Sequence, residues 1–133
     1  MIKDELLNEA FSAMKNSYAP YSNYHVGAAV LTTDDNVYWG VNVENASYGA
    51  TNCAERSAIF AAYSHGYRKE MIAALAIVSD GVTIATPCGI CRQVLSELIK
   101  GDTPIYLSNG KEEIITNMNE LLPMQFTMKD VIQ

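Results

Sequence analysis

Three cysteines and one glutamate are the residues of this chain best suited to chemistry. Cys53 lies in Cys53-Ala54-Glu55-Arg56, and Cys88 and Cys91 lie in Pro87-Cys88-Gly89-Ile90-Cys91-Arg92. These are all the cysteines the chain has, and an odd number cannot pair completely within it. A C-x-x-C spacing suits metal or redox chemistry better than a structural disulfide. Zinc takes four tetrahedral ligands, and a catalytic zinc reserves one position for water. Cys53, Cys88 and Cys91 supply three thiolates, so one zinc ion with an open position is the expected cofactor. Three thiolates would leave the ion with a net negative charge. Helix N-termini at both motifs would offset it, helped by donation from Arg56 or Arg92 to sulfur.

The two histidines are the remaining candidates for a fourth ligand. His25 reads more simply as a strand-face residue and His65 as a helix C-terminal one. Glu55 stands at the start of an alanine-rich, apolar helix, an unfavourable place for an unpaired carboxylate. Either it serves only as a first-turn acid or it moves protons beside the metal; the second reading makes it a general acid and base.

The elements that must position these groups follow from periodicity. Leu6, Leu7, Ala10, Phe11 and Met14 recur at helical spacing and predict a helix over residues 3–18, broken before Pro20. Strands at 24–32 and 37–43 flank the turn Asp34-Asp35-Asn36 and form a hairpin. Thr51 or Asn52 caps a buried helix over 53–64. The apolar run 71–78 has the length of a central strand. A helix over 87–100 leads to a strand at 104–107, and Asn109-Gly110 turns the chain into a strand at 113–116. A last helical turn falls at 119–122. The strand–helix–strand unit over 71–107 makes the third and fourth strands parallel. The expected fold is a three-layer α/β/α sandwich with a mixed five-stranded sheet, one domain over residues 1–133.

Composition narrows the function. The chain has 133 residues, 49% of them hydrophobic, with a formal net charge of −6. An acidic surface repels phosphate backbones, which disfavours a nucleic acid polymer as partner. The charged N-terminus has no apolar leader, and no run reaches membrane-spanning length. A soluble cytoplasmic protein acting on a small molecule, without membrane partners, is expected.

Cys-x-Glu followed by Pro-Cys-x-x-Cys carries the general signature of zinc deaminases, with cysteine in place of histidine. Over nearly its whole length the chain resembles the homotetrameric cytidine deaminases. The zinc motifs carry that likeness, together with Tyr18-Ala19-Pro20-Tyr21-Ser22, Val26-Gly27-Ala28-Ala29, Gly40-Val41-Asn42-Val43-Glu44-Asn45-Ala46-Ser47-Tyr48, and Glu120-Leu121-Leu122-Pro123 with Phe126. The resemblance implies hydrolytic deamination of cytidine and 2′-deoxycytidine in pyrimidine salvage, with Glu55 as the proton shuttle. It implies a nucleoside site formed by Asn42, Val43, Glu44, Ala46, Tyr48, Ala54, Tyr24 and Phe126. Asn42 and Glu44 would hold the ribose 3′-hydroxyl, and Phe126 would stack on the base from another subunit. A homotetramer with shared active sites is implied as well.

Several positions depart from the family pattern. Tyr24 replaces a common phenylalanine, Val41 replaces a residue that is often cysteine, and Met124-Gln125 is bulkier than the usual pair. Ile90 replaces an alanine and is expected to reshape the site floor. Three other readings compete: deamination of a modified cytosine nucleoside such as blasticidin S, a non-catalytic zinc scaffold, and a C-x-x-C redox protein. The scaffold reading leaves Glu55 without a role, and the redox reading leaves both Cys53 and Glu55 unused.

Overall fold

The computed structural model of the chain describes residues 1–127; the expected domain also takes in 128–133, which lie outside them. Among the described residues, four α-helices and five strands follow one another, besides two short 3₁₀ turns: α1 (Lys3–Met14), β1 (Val26–Thr32), β2 (Val37–Val41), α2 (Ala54–Ser64), β3 (Ile72–Ser79), α3 (Gly89–Leu98), β4 (Ile105–Ser108), β5 (Glu113–Thr116) and α4 (Met118–Leu121). The strands form one sheet in the order β2-β1-β3-β4-β5. β1 is antiparallel to β2 and β3, β3 and β4 are parallel, and β5 is antiparallel to β4. The mixed sheet and the parallel β3–β4 pair are those expected.

Alternation along the strands separates two cores. Ala29, Leu31, Ala74, Ala76 and Val78 pack against Leu6, Leu7 and Ala10 of α1. Ala28, Val30, Leu75 and Ile77 pack against Ala58 and Ile59 of α2 and Leu95 of α3. Helices therefore cover both faces, which is why the central strands read as continuous apolar runs. Because β1 is antiparallel to both, β2 and β3 point the same way. Each leads into a helix, so α2 and α3 begin at the same end of the sheet.

Tertiary bonds move several boundaries. Helix α1 stops at Met14, not residue 18, because Tyr18 is taken by the loop after β2. Its N–H donates to the Asn42 carbonyl (3.0 Å), and its carbonyl accepts from the Glu44 N–H (2.9 Å). The same exchange ends β2 at Val41, while Val43 exchanges backbone bonds with Asn52 (3.0 Å each way). β1 starts at Val26 because the Tyr24 N–H donates to Ser22 Oγ (3.0 Å) and its carbonyl accepts from Asn42 Nδ2 (2.8 Å).

Gly40 sets the depth of α2. A Cβ there would lie 2.2 Å from the Ala54 carbonyl oxygen and 2.3 Å from the Ala58 nitrogen. Only glycine lets the first turn of α2 rest directly on β2.

Candidate metal centre and active site

Cys53 and Cys88 are the N-cap residues of α2 and α3, and both have extended backbones. The expected side-chain cap from Thr51 or Asn52 does not form. Thr51 Oγ1 accepts from the Asn45 N–H (3.1 Å), and Asn52 Nδ2 donates to Ser57 Oγ (2.8 Å). Each helix thus presents a sulfur and free amide groups at its positive end. Cys91 lies one turn into α3 and is fully buried.

The three sulfurs lie within 4.8 Å of one another, and Cys53 Sγ is 3.9 Å from Cys88 Sγ. Two zinc–sulfur bonds of about 2.3 Å at the tetrahedral angle put sulfurs about 3.8 Å apart. The donor set therefore fits one zinc ion. Neither histidine joins it. His25 Nδ1 pairs with Asp80 Oδ2 (2.6 Å), and His65 Nδ1 lies 2.8 Å from the Ala61 carbonyl at the end of α2.

The electrostatics point the same way. The Cys53 thiol is pulled down to about 5, first by a hydrogen bond from Cys91 and then by Arg56, against the effect of burial. Cys91 is pushed up by that same bond, by burial and by the charge of Glu55. Three adjacent thiols cannot all ionise without a cation among them, and a divalent ion removes the conflict. Arg56 Nη2 donates to Cys53 Sγ and to the Thr51 carbonyl (3.5 Å each), while its Nε is buried without a partner.

Of the two arginines expected to reach a sulfur, Arg56 does and Arg92 does not. Its Nε donates to the Pro87 carbonyl (2.7 Å) and its Nη1 to the Leu121 carbonyl (2.8 Å), not to a sulfur. Its planar fork ties the turn that presents Cys88 to α4, and an unmet carbonyl outcompetes a sulfur already shared with the cluster. Ile90 is a second correction: its side chain is 64% exposed and faces outward instead of forming the floor.

A cavity of about 310 Å³ opens onto the cluster. Tyr24, Asn42, Glu44, Cys53, Ala54, Glu55 and Cys88 line it. Glu55 is buried, and burial raises its carboxyl to about 7, with the Cys53 charge adding to the effect. The sequence did not single out Thr51, Asn52, Ala85 and Thr86 as lining residues. The only signal for Ala85 and Thr86 was their place just before Pro87-Cys88.

A second cavity of about 410 Å³ shares Glu44 and Thr51 with the first and is bounded by Tyr21 and Tyr48. Glu44 Oε1 accepts from the N–H groups of Tyr21 (2.9 Å) and Ser22 (3.1 Å), and Oε2 accepts from Ser22 Oγ. The amide of Asn42 is largely committed to the fold. Oδ1 accepts from Ser17 Oγ and the Val26 N–H (3.0 Å), and Nδ2 donates to the Tyr24 carbonyl. One Nδ2 hydrogen remains for a ligand.

Of the other expected site residues, Val43, Ala46, Tyr48 and Phe126 are exposed, Tyr48 by 84%. Val43, Ala46 and Phe126 border neither cavity within the chain.

A buried carboxylate beside a three-sulfur metal site, at the end of a mixed sheet, defines a zinc hydrolase of the deaminase type. The sequence profile of the cytidine and deoxycytidylate deaminase zinc-binding region matches residues 1–107, and the chain belongs to that family. It is 49% identical to a cytidine deaminase of Halalkalibacterium halodurans over 133 residues, covering 98% of each chain. A crystal structure of cytidine deaminase from Burkholderia pseudomallei superposes with a TM-score of 0.91 at 45% identity, covering 95% of this chain and all of that one. A blasticidin-S deaminase of Bacillus cereus is 30% identical over 113 residues, covering 80% of this chain and 79% of that protein.

Proposed function

We propose that this chain hydrolyses cytidine and 2′-deoxycytidine to uridine and 2′-deoxyuridine with release of ammonia. The observation that carries the reading is the buried Glu55 carboxylate in the cavity that Cys53 and Cys88 also line, with the Cys91 sulfur buried within 4.8 Å of theirs. When bound, zinc supplies a water acidic enough to become a nucleophile near neutral pH.

Cys53, Cys88 and Cys91 would hold the ion. Glu55 takes the proton given up by the attacking water and delivers it to N3 of the base. The water oxygen bonds to C4; Glu55 then takes that oxygen's remaining proton and gives it to the 4-amino group, the C4–N bond breaks, and ammonia leaves a C4 carbonyl behind. Arg56 offsets thiolate charge through its bond to Cys53. Arg92 braces the Cys88 turn from outside.

The substrate residues follow the cavity. Ala54 offers its backbone to the pyrimidine, and Tyr24 walls the base. The remaining Nδ2 hydrogen of Asn42 and the Glu44 carboxylate hold the ribose 3′-hydroxyl. A carboxylate at that place repels a 5′-phosphate, which selects nucleosides over nucleotides. Val43, Ala46, Tyr48 and Phe126 are exposed, and the reading assigns their contacts to a homotetramer in which neighbouring copies complete each site.

The reaction belongs to cytoplasmic pyrimidine salvage. The family's matched relatives favour cytidine over a modified nucleoside such as blasticidin S, because identity to the blasticidin-S deaminase is much the lower.

Steady-state assay of zinc-analysed protein tests all of this. Turnover of cytidine and 2′-deoxycytidine, with none of dCMP, is expected. Preferential turnover of blasticidin S would overturn the substrate. Light scattering should give a mass four times that of the chain.

A further inference from the structure

Tyr24 forms one wall of the cavity that contains Glu55, and its backbone is fixed by Ser22 and Asn42. Its ring rests on Gly81, just beyond the end of β3. That platform is tied down on both sides. Asp80 and His25 exchange backbone and side-chain bonds, with His25 N–H to Asp80 Oδ1 at 2.9 Å and Asp80 N–H to the His25 carbonyl at 3.2 Å. Asn109 Nδ2 donates to the carbonyls of Gly81 (3.4 Å) and Val82 (3.2 Å).

A Cβ at Gly81 would stand 2.8 Å from Tyr24 Cε1. The nearest backbone atom, the Thr83 carbonyl oxygen, would be 3.4 Å away, an ordinary contact. Gly81 is not among the residues with positive φ, so its backbone does not itself call for glycine. The glycine therefore has one steric reason to be there, and that reason is the Tyr24 ring.

We propose that Gly81 is a positioning residue for the substrate pocket, its missing Cβ setting the depth at which Tyr24 walls the base. This rests on the deaminase reading above. Carbon atoms in contact sit about 3.5–4.0 Å apart, so alanine at 81 displaces the ring by about 1 Å. The ring is the free end of a side chain and gives way without disturbing the backbone. Glu55 and the three sulfurs keep their places. The effect falls on binding and not on the proton transfers.

The experiment is a double-mutant cycle on zinc-loaded protein, with KM and kcat for cytidine measured in wild type, Gly81→Ala, Tyr24→Ala and the double variant. Gly81→Ala should raise KM about three- to ten-fold, the worth of one aromatic contact. Its kcat and zinc content should stay within two-fold of wild type. In the Tyr24→Ala background the same change should leave KM unmoved, because the ring it displaces is gone.

An unchanged KM in Gly81→Ala, or an equal KM increase in both backgrounds, overturns the proposal. So does a fall in kcat with KM constant. A wild type that fails to turn over cytidine overturns the deaminase reading, and this inference with it; normal wild-type turnover isolates the fate of Gly81.

Discussion

The metal corner and the loop that follows β2 sit side by side and are built on opposite plans. At the metal corner, Cys91 is fully buried and Glu55 is 5% exposed, Cys53 is half-buried, and Cys88 alone of the four is exposed. Its sulfurs stand on the first turns of two helices, one of which lies directly on β2. In the loop, exposure climbs from buried Asn42 to Tyr48 at 84%. Bond-making groups need a dry, fixed setting, where charge interactions are strong and no reorganisation is required. Recognition groups must stay open until a ligand or a neighbouring copy arrives. Among the described residues, Glu55 and Cys91 are enclosed while the loop is largely open.

The sharpest way to break this contrast is at the buried end. Cys91→Ala leaves two sulfurs, too few to hold zinc. Zinc affinity should fall by more than the 10- to 100-fold or so typical of losing an outer-shell partner, and turnover should vanish. Metal analysis showing one zinc per chain in that variant would remove Cys91 from the ligand set. Glu55→Gln should keep its zinc and lose kcat by about 10²- to 10⁴-fold, the range of a lost general acid–base. Near-normal kcat in zinc-loaded Glu55→Gln protein would return Glu55 to a purely structural part.

Asn42 stands at the junction of the two plans. Its side chain joins Ser17 in the loop after α1, Val26 at the start of β1 and the Tyr24 carbonyl through three hydrogen bonds. Asn42→Ala leaves buried groups unpaired and should cost about 1–3 kcal/mol of stability by denaturant titration. On the proposed reading KM for cytidine rises as well. A stability loss with unchanged KM would make Asn42 scaffold alone.

The metal corner was legible in the sequence because its residues lie in two compact motifs at helix starts. The strands were legible for a similar local reason: alternation and apolar runs belong to each strand itself. What sequence periodicity missed depends on contacts between distant segments. Tyr18 continues the pattern of α1, yet the loop at 42–44 claims its backbone groups. Arg92 stands next to a cysteine but turns to the carbonyls of Pro87 and Leu121. Ile90 lies between two ligands and faces outward because the helix turns it away from them. Ser22 gave no signal of its role on Glu44, and Gly81 gave none of its role under Tyr24. Each depends on a partner far away in the chain.

The smallest effect tests the open end of the contrast. The Glu44 carboxyl is held below the usual carboxylate range, first by the Ser22 hydroxyl and then by the amides of Ser22 and Tyr21. A depressed carboxyl keeps its charge as the pH falls past its ordinary value of about 4.3 and loses it only below that. Whatever Glu44⁻ adds to binding is therefore fully present above that value and disappears as the pH drops through the lowered one. The KM ratio between Glu44→Gln and wild type should be about three- to ten-fold, the modest size expected of a charge open to solvent. It should stay constant from about pH 8 down to about pH 5. The same variant should narrow the preference for cytidine over CMP, since the group that repels the phosphate has lost its charge. A KM ratio that changes within that pH window would mean that another group titrates at the ribose end. An undiminished rejection of CMP would place the selection against phosphate in the exposed residues of the loop instead.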